Sequence, residues 1–146
     1  MKKLIALLAV LILTAGSIAA RDKIYRDASP LPAPAKTMLK TYFPKNTVNQ
    51  VKVDKNLLGG ADYEVILNDG TEIEFNKDGE WKDIDCGHRA VPSKLILAPI
   101  RNYVAKNYKG AGIVKIDKDR NDYEIELTNG IELKFDRAGK FLRIDD

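Results

Sequence analysis

The sequence predicts an α+β fold, a tandem repeat of α-β-β-β-β units with the helices packed on one face of an antiparallel meander sheet. Three observations carry this. First, Asp62–Asp85 returns sixty residues later, without a gap, as Asp122–Asp145. Ten of the twenty-four positions are identical: Asp62/Asp122, Tyr63/Tyr123, Glu64/Glu124, Leu67/Leu127, Gly70/Gly130, Glu72/Glu132, Phe75/Phe135, Gly79/Gly139, Ile84/Ile144 and Asp85/Asp145. An internal repeat settles architecture before local propensity does. Second, each copy carries two glycine turns between short alternating runs, which is hairpin chemistry. Third, a helical apolar pattern precedes each copy.

The chain opens with Lys2 and Lys3, an unbroken apolar run Leu4–Leu13, and then the small residues Ala15, Gly16, Ser17, Ala19 and Ala20. This is the order of a secretory signal peptide, taken as residues 1–20. The apolar run is short for a membrane span, so the alternative, an uncleaved anchor, fits less well. Thr14-Ala15-Gly16-Ser17 places serine where a lipoprotein site requires a cysteine thiol. A soluble exported protein, periplasmic or secreted, is expected, with no membrane span in its mature part. Removing Lys2 and Lys3 lowers the formal net charge from +3 to +1. No basic face for nucleic acid is apparent.

Residues 21–31 are polar and aperiodic and read as an N-terminal arm, either a lead-in strand or a loose segment. The first unit is expected over 32–85. Pro32 and Pro34 suit a first helical turn, Ala35, Met38, Leu39, Tyr42 and Phe43 share one face, and Pro44 ends the helix. A first strand follows at Val48–Val53. Residues 86–90 form a linker too short for independent motion. The second unit, 91–146, opens with a longer helical pattern from Val91 to Tyr108. Pro99 is expected to kink or break it, and Gly110 and Gly112 follow its end. Its first strand is Ile113–Ile116.

Turn chemistry sets the register. If Asn68-Asp69-Gly70 is a three-residue loop with Gly70 left-handed, Val65 faces Ile73 and Tyr63 faces Phe75. Lys77-Asp78-Gly79 in the same form sets Phe75 opposite Trp81. The rows Tyr63, Phe75, Trp81 and Tyr123, Phe135, Phe141 then need covering by the helices. On the other face Glu64 opposes Glu74 and Glu74 opposes Lys82, while Ile66 opposes Glu72 beside Ile84. The second copy gives Glu124, Lys134, Leu142 and Glu126, Glu132, Ile144. Like-charged pairs such as Glu64/Glu74 and Glu126/Glu132 cost stability unless a cation or basic partner is near. These twelve residues form the candidate partner-binding face, an apolar patch rimmed by carboxylates. The alternative is a solvated face with a bulge that turns Ile84 and Ile144 inward.

Nothing in the sequence assembles a catalytic centre. Cys86 is the single cysteine and His88 the single histidine. A Cys–His pair needs converging side chains and an orienting third group, and a structural zinc needs four ligands. Asp117-Lys118-Asp119 offers oxygen ligands but lacks a calcium-loop pattern. No enzyme activity, cofactor or metal site is expected.

Several stretches together resemble the PepSY-like, β-lactamase-inhibitor-like periplasmic proteins of Bacteroides-type bacteria. They are Leu31-Pro32, Tyr42-Phe43-Pro44, Tyr63–Phe75, Gly79-Glu80-Trp81, Ile84-Asp85-Cys86, Val91-Pro92 and the repeated Tyr123-Glu124, Asn129-Gly130 and Phe135. The resemblance implies helices on one face of a large antiparallel sheet whose other face is open. It also implies binding or inhibiting a protein of the envelope. β-Lactamase inhibitor protein grips its target through aromatics on the open face, whereas here the aromatics lie inside, so no inhibitory residue carries over. The expectation is a non-enzymatic exported module that binds another envelope protein or peptide, including as an inhibitor of an enzyme or peptidase. The alternative is a small-ligand or cation binding or sensing protein using the carboxylate rows.

Overall fold

The computed structural model describes residues 22–55 and 59–145, so the signal peptide expected at 1–20 lies outside the described residues. Nine strands form one antiparallel sheet in chain order. They are β1 (Lys23–Tyr25), β2 (Val48–Lys55), β3 (Ala61–Leu67), β4 (Glu72–Phe75), β5 (Trp81–Asp85), β6 (Ile113–Lys118), β7 (Asp122–Leu127), β8 (Glu132–Asp136) and β9 (Phe141–Asp145). Helix α1 (Ala33–Tyr42) precedes β2, and α2 (Ala98–Asn107) precedes β6. The arm at 21–31 therefore contributes a strand, β1, paired with β2. Among the described residues no helix is long and apolar enough to cross a membrane.

One row of directly opposed residues crosses the whole sheet: Tyr25, Val51, Val65, Ile73, Ile84, Ile116, Ile125, Leu133 and Ile144. β-Branched and other aliphatic side chains suit a pleated, buried surface, and Val51 through Leu133 are essentially inaccessible. The helices cover this face with Ala35, Met38 and Leu39 of α1 and Ile100 and Val104 of α2, all in one core. A second row holds the expected aromatics. Tyr63 opposes Phe75, which opposes Trp81, and Tyr123 opposes Phe135, which opposes Phe141. Tyr103 of α2 caps the latter set. It stacks on Phe141 at 4.5 Å between ring centroids and meets Phe135 edge-on at 5.4 Å.

The second helical region is broken, as expected, into a short helix, a bend and a second helix. Ser93–Leu95 is a single 3-10 turn, Ile96 is extended, and α2 begins at Ala98 with Pro99 in its first turn. Pro99 does not kink a helix; it opens one, because its missing N–H falls where a helix has no acceptor to offer. Ala33-Pro34 opens α1 in the same way. The segment 86–90 is tied down at both ends. Cys86 donates its N–H to the Val114 carbonyl and Val91 to that of Ile113, while Arg89 donates to the Asp69 carbonyl at 2.7 Å.

Gly70 and Gly79 both have positive φ, but for different reasons. A Cβ on Gly70 would meet open space, whereas one on Gly79 would lie 3.0 Å from the Ala35 nitrogen and from Pro32 Cβ. Gly79 thus lets the β4–β5 turn close onto the start of α1, and Gly139 does the same against Pro99. Gly70→Ala is expected to cost about 1–2 kcal/mol for the left-handed backbone. Gly79→Ala should cost roughly 1–3 kcal/mol beyond that for crowding. Urea denaturation of the two variants checks the order, and equal losses would refute the close approach.

Candidate functional site: the open sheet face

The face opposite the helices is set by two bulges. In β5 the pairing runs Glu72↔Asp85, Ile73↔Ile84, Glu74↔Asp83 and then Phe75↔Trp81, so Lys82 is the extra residue. In β9 it runs Glu132↔Asp145, Leu133↔Ile144, Lys134↔Arg143 and then Phe135↔Phe141, with Leu142 extra. A bulge puts two residues of one strand against one of its partner and re-phases everything beyond it. The expected pairs Glu64/Glu74, Ile66/Glu72, Glu124/Lys134 and Glu126/Glu132 are present. Those assumed across the bulges are not. Glu74 opposes Asp83 rather than Lys82, and Lys134 opposes Arg143 rather than Leu142.

The consequences differ by residue. Ile84 is fully buried beneath the helices and leaves the candidate face. Ile144 also lies on the inward row, but at the sheet edge, where it is half exposed, as is Leu142. Ile66 is partly buried on the open face beside Glu72. Lys82 stays with the carboxylates from its bulge position, 2.8 Å from Glu74 and 3.8 Å from Asp62.

With the bulges in place, two outward rows cross the sheet. One reads Ile24, Lys52, Glu64, Glu74, Asp83, Asp117, Glu124, Lys134, Arg143. The other reads Gln50, Ile66, Glu72, Asp85, Lys115, Glu126, Glu132, Asp145. Five consecutive carboxylates, Glu64 to Glu124, therefore line up on adjacent strands, which lie roughly 4.8 Å apart. Cations flank the lineup. Lys52 reaches Glu64 at 3.5 Å and Lys134 reaches Asp122 at 3.3 Å. Lys115 is 3.8 Å from Asp85. Among the described residues Glu72, Asp83, Asp117, Glu124, Glu126 and Glu132 make no ion pair, although Lys115 acts electrostatically on Glu72, Asp83 and Asp117 and Lys134 on Glu124, so carboxylates outnumber cations in the middle of the sheet.

Asp83 is the extreme case. Its Oδ1 is buried without a hydrogen-bond partner. Burial pushes its carboxyl up to about 7; Lys115 pulls it down, while Asp117, Asp85 and Glu74 add to the rise. Burial also raises Asp117, helped by Glu124 and Asp119, and it raises Glu124 and Glu72. Asp83, Asp85, Lys115, Arg143 and Asp145 were missed from the sequence, and Asp117 was singled out only as an oxygen ligand, not as part of this face. A signal for them existed. Trp81 and Ile84, like Phe141 and Ile144, are apolar three residues apart, and a strand alternating with period two cannot bury both without a bulge.

Cys86 and His88 do not converge on a reactive site. Cys86 is buried while His88 is exposed. Burial drives the Cys86 thiol up to about 11, against a hydrogen bond with Thr71, so no thiolate is available near neutrality. In Asp117-Lys118-Asp119, Asp117 lies on the open face, while Lys118 sits over the Trp81 ring at 4.1 Å. Among the described residues no three His, Cys, Asp or Glu side chains group to hold a metal ion.

Residues 61–143 match the family described as "Putative beta-lactamase-inhibitor-like, PepSY-like". The chain belongs to this PepSY-like family. Solved structures agree at the level of the whole fold. A "putative periplasmic protein of unknown function" from Bacteroides vulgatus is 41% identical with a TM-score of 0.82, covering 86% of this chain and 100% of its own. A second "putative periplasmic protein" from the same species is 38% identical with a TM-score of 0.80, covering 88% and 99%. A "putative calcium-regulated periplasmic protein" from Bacteroides thetaiotaomicron is also 38% identical with a TM-score of 0.80, covering 86% and 97%. No curated protein matches the chain. This PepSY-like chain is exported, periplasmic or secreted, as its leader-like start predicts.

Proposed function

We propose that this PepSY-like chain is a non-enzymatic binding module of the bacterial envelope, whose open sheet face takes a basic segment of another protein or peptide. The observation that carries this is the lineup Glu64, Glu74, Asp83, Asp117, Glu124, with its unpaired carboxylates at the centre of the sheet. A row of like charges on adjacent strands costs stability in isolation. Such a cost is retained where a cationic partner relieves it and gains specificity and association rate from it. We read the chain as two α-β-β-β-β units, 32–85 and 91–146, joined by 86–90. The acidic centre falls where the units meet, because they diverge there: Asp83 corresponds to Arg143 and Glu74 to Lys134. An envelope enzyme or peptidase held across its entrance by this face would be inhibited by occlusion.

The test begins with crosslinked capture from envelope extract and continues with the purified partner. Affinity is expected to fall steeply as salt rises, since exposed charges are screened beyond about 8–10 Å. It should be lost when Glu64, Glu74, Glu126 and Glu132 are changed to lysine together, with the circular dichroism spectrum unchanged. A partner that binds this variant as tightly as the parent would exclude the face.

A second reading is cation binding. It is favoured by the same carboxylates and by the neighbour described as calcium-regulated. Calcium takes six to eight oxygens in a closed shell, and the carboxylates here are spread over adjacent strands. Calorimetric titration with calcium separates the two readings. A saturable site abolished by Asp83→Asn and Asp117→Asn supports the cation, and weak salt-like heat supports the basic partner.

A further inference from the structure

We propose that the groove beside α1 binds a single-tailed amphiphile with an anionic head. The groove has a volume of about 470 Å³ and lies between α1 and the ends of β2 and β3. That volume is in the range of small-molecule clefts, roughly 300–1,000 Å³. Its walls divide by chemistry. Leu39, Phe43, Val48 and Leu67 form an apolar side, and Lys36 and Lys40 stand along α1. Among the described residues no carboxylate lines it.

The charge pattern sets the sign of the ligand. Between Ala28 and Val53 the chain has no Asp or Glu; Asp27, just before this stretch, accepts from the Ser29 N–H and is acted on by Lys36, which leaves Lys40 the freer of the two charges. Lys36 and Lys40 are four residues apart on one helix, so their ammonium groups are neighbours that repel. Among the described residues neither makes an ion pair. Lys36 donates to the Ser29 carbonyl at 3.1 Å, which leaves further donors on its ammonium. An anion between the two lysines would accept from both while its tail covers the apolar wall. The second unit has Ala105 where Lys40 stands, aligning Tyr108 with Phe43, so the paired ammonium groups belong to the first unit alone.

The experiment is calorimetry and amide NMR on the mature chain, titrated with sodium dodecanoate, with dodecyl phosphate, and with dodecyltrimethylammonium, each below its micelle concentration. One-to-one binding of either anion is expected, with shift changes confined to the groove, and no comparable binding of the cation. Preference between the two anions tells a free fatty acid from a lipid phosphate head. Lys36→Glu with Lys40→Glu should weaken binding at least tenfold. Lys40→Glu alone, at an exposed position, should weaken it severalfold and serves if the double variant is unstable. Glu72→Lys with Glu126→Lys on the open face should leave it unchanged, which separates this site from the one above. Failure of both anions to bind, equal binding of the cation, or an unaffected lysine variant would overturn the proposal.

Discussion

Ile84→Ala is expected to lower stability by about 2–5 kcal/mol, the range for deleting buried aliphatic groups that leave a cavity. Leu142→Ala should change it by less than about 0.5 kcal/mol, as exposed sites do. Both side chains belong to short strands that follow a glycine turn, and both looked equivalent as members of one outward face. The bulge at Lys82 separates them. It turns Ile84 inward between Ile73 and Ile116, where it is wholly inaccessible. Leu142 occupies the corresponding bulge position and stays half exposed. Urea midpoints of the two variants decide the matter. An Ile84→Ala loss as small as that of Leu142→Ala would mean that β5 runs without a bulge and that Ile84 belongs to the open face.

That contrast marks the boundary of what the residues reveal on their own. The hairpin registers nearest the glycine turns were legible, because a left-handed glycine in a three-residue loop fixes the first few pairs on either side. Tyr63, Phe75 and Trp81 are opposed for this reason. Past the bulges the straight register failed, since a one-residue slip sends each later side chain to the other face, and the alternative, a bulge that turns Ile84 and Ile144 inward, is what the strands adopt. The sheet's continuity was also out of reach. It depends on Asp83, Ile84 and Asp85 meeting Asp117, Ile116 and Lys115 across 27 intervening residues between β5 and β6, counted from Asp85 to Ile113. No turn adjoins both strands to set that register. The same pairing creates the acidic centre, so the candidate site was only half visible. Glu64, Glu74 and Glu124 were in view, Asp83 was not, and Asp117 was in view only as an oxygen ligand in Asp117-Lys118-Asp119. The break in the second helical region was legible from Pro99, but that Pro99 opens α2 was not, because the start of α2 is set by buried Ile96 and the Gly139 contact, which are tertiary.

Asp83→Asn is expected to stabilise the protein by about 2–4 kcal/mol at pH 8 and hardly at all near pH 4. The folded carboxyl holds its proton up to about 7, well above its ordinary value of 3.8, chiefly because of burial. Folding therefore takes up a proton between those two values. Stability is greatest below about pH 4 for this group and falls as the pH rises towards 7. A shift of about three units corresponds to at most about 4 kcal/mol, and residual solvent access lowers that bound. Asparagine removes the charge and supplies amide donors beside Glu74 and Asp117. Asp117, Glu124 and Glu72 are shifted in the same direction, chiefly by burial and also by neighbouring carboxylates, so the parent should weaken, as the pH rises above the ordinary carboxylate range, by more than Asp83 alone contributes. Denaturation at pH 4, 6 and 8, with the carboxyl carbon of Asp83 followed by NMR, measures both quantities. A midpoint near 4, or a gain from Asp83→Asn that does not vary with pH, would refute the buried, unpartnered carboxyl. The titration also bears on binding. A basic segment or a cation over the row favours the ionised form of Asp83, so binding near pH 7 should release part of a proton, and by linkage affinity should rise as the pH is raised through 7. Proton release that is lost in Asp83→Asn would tie the partner to the centre of the acidic row, where β5 meets β6.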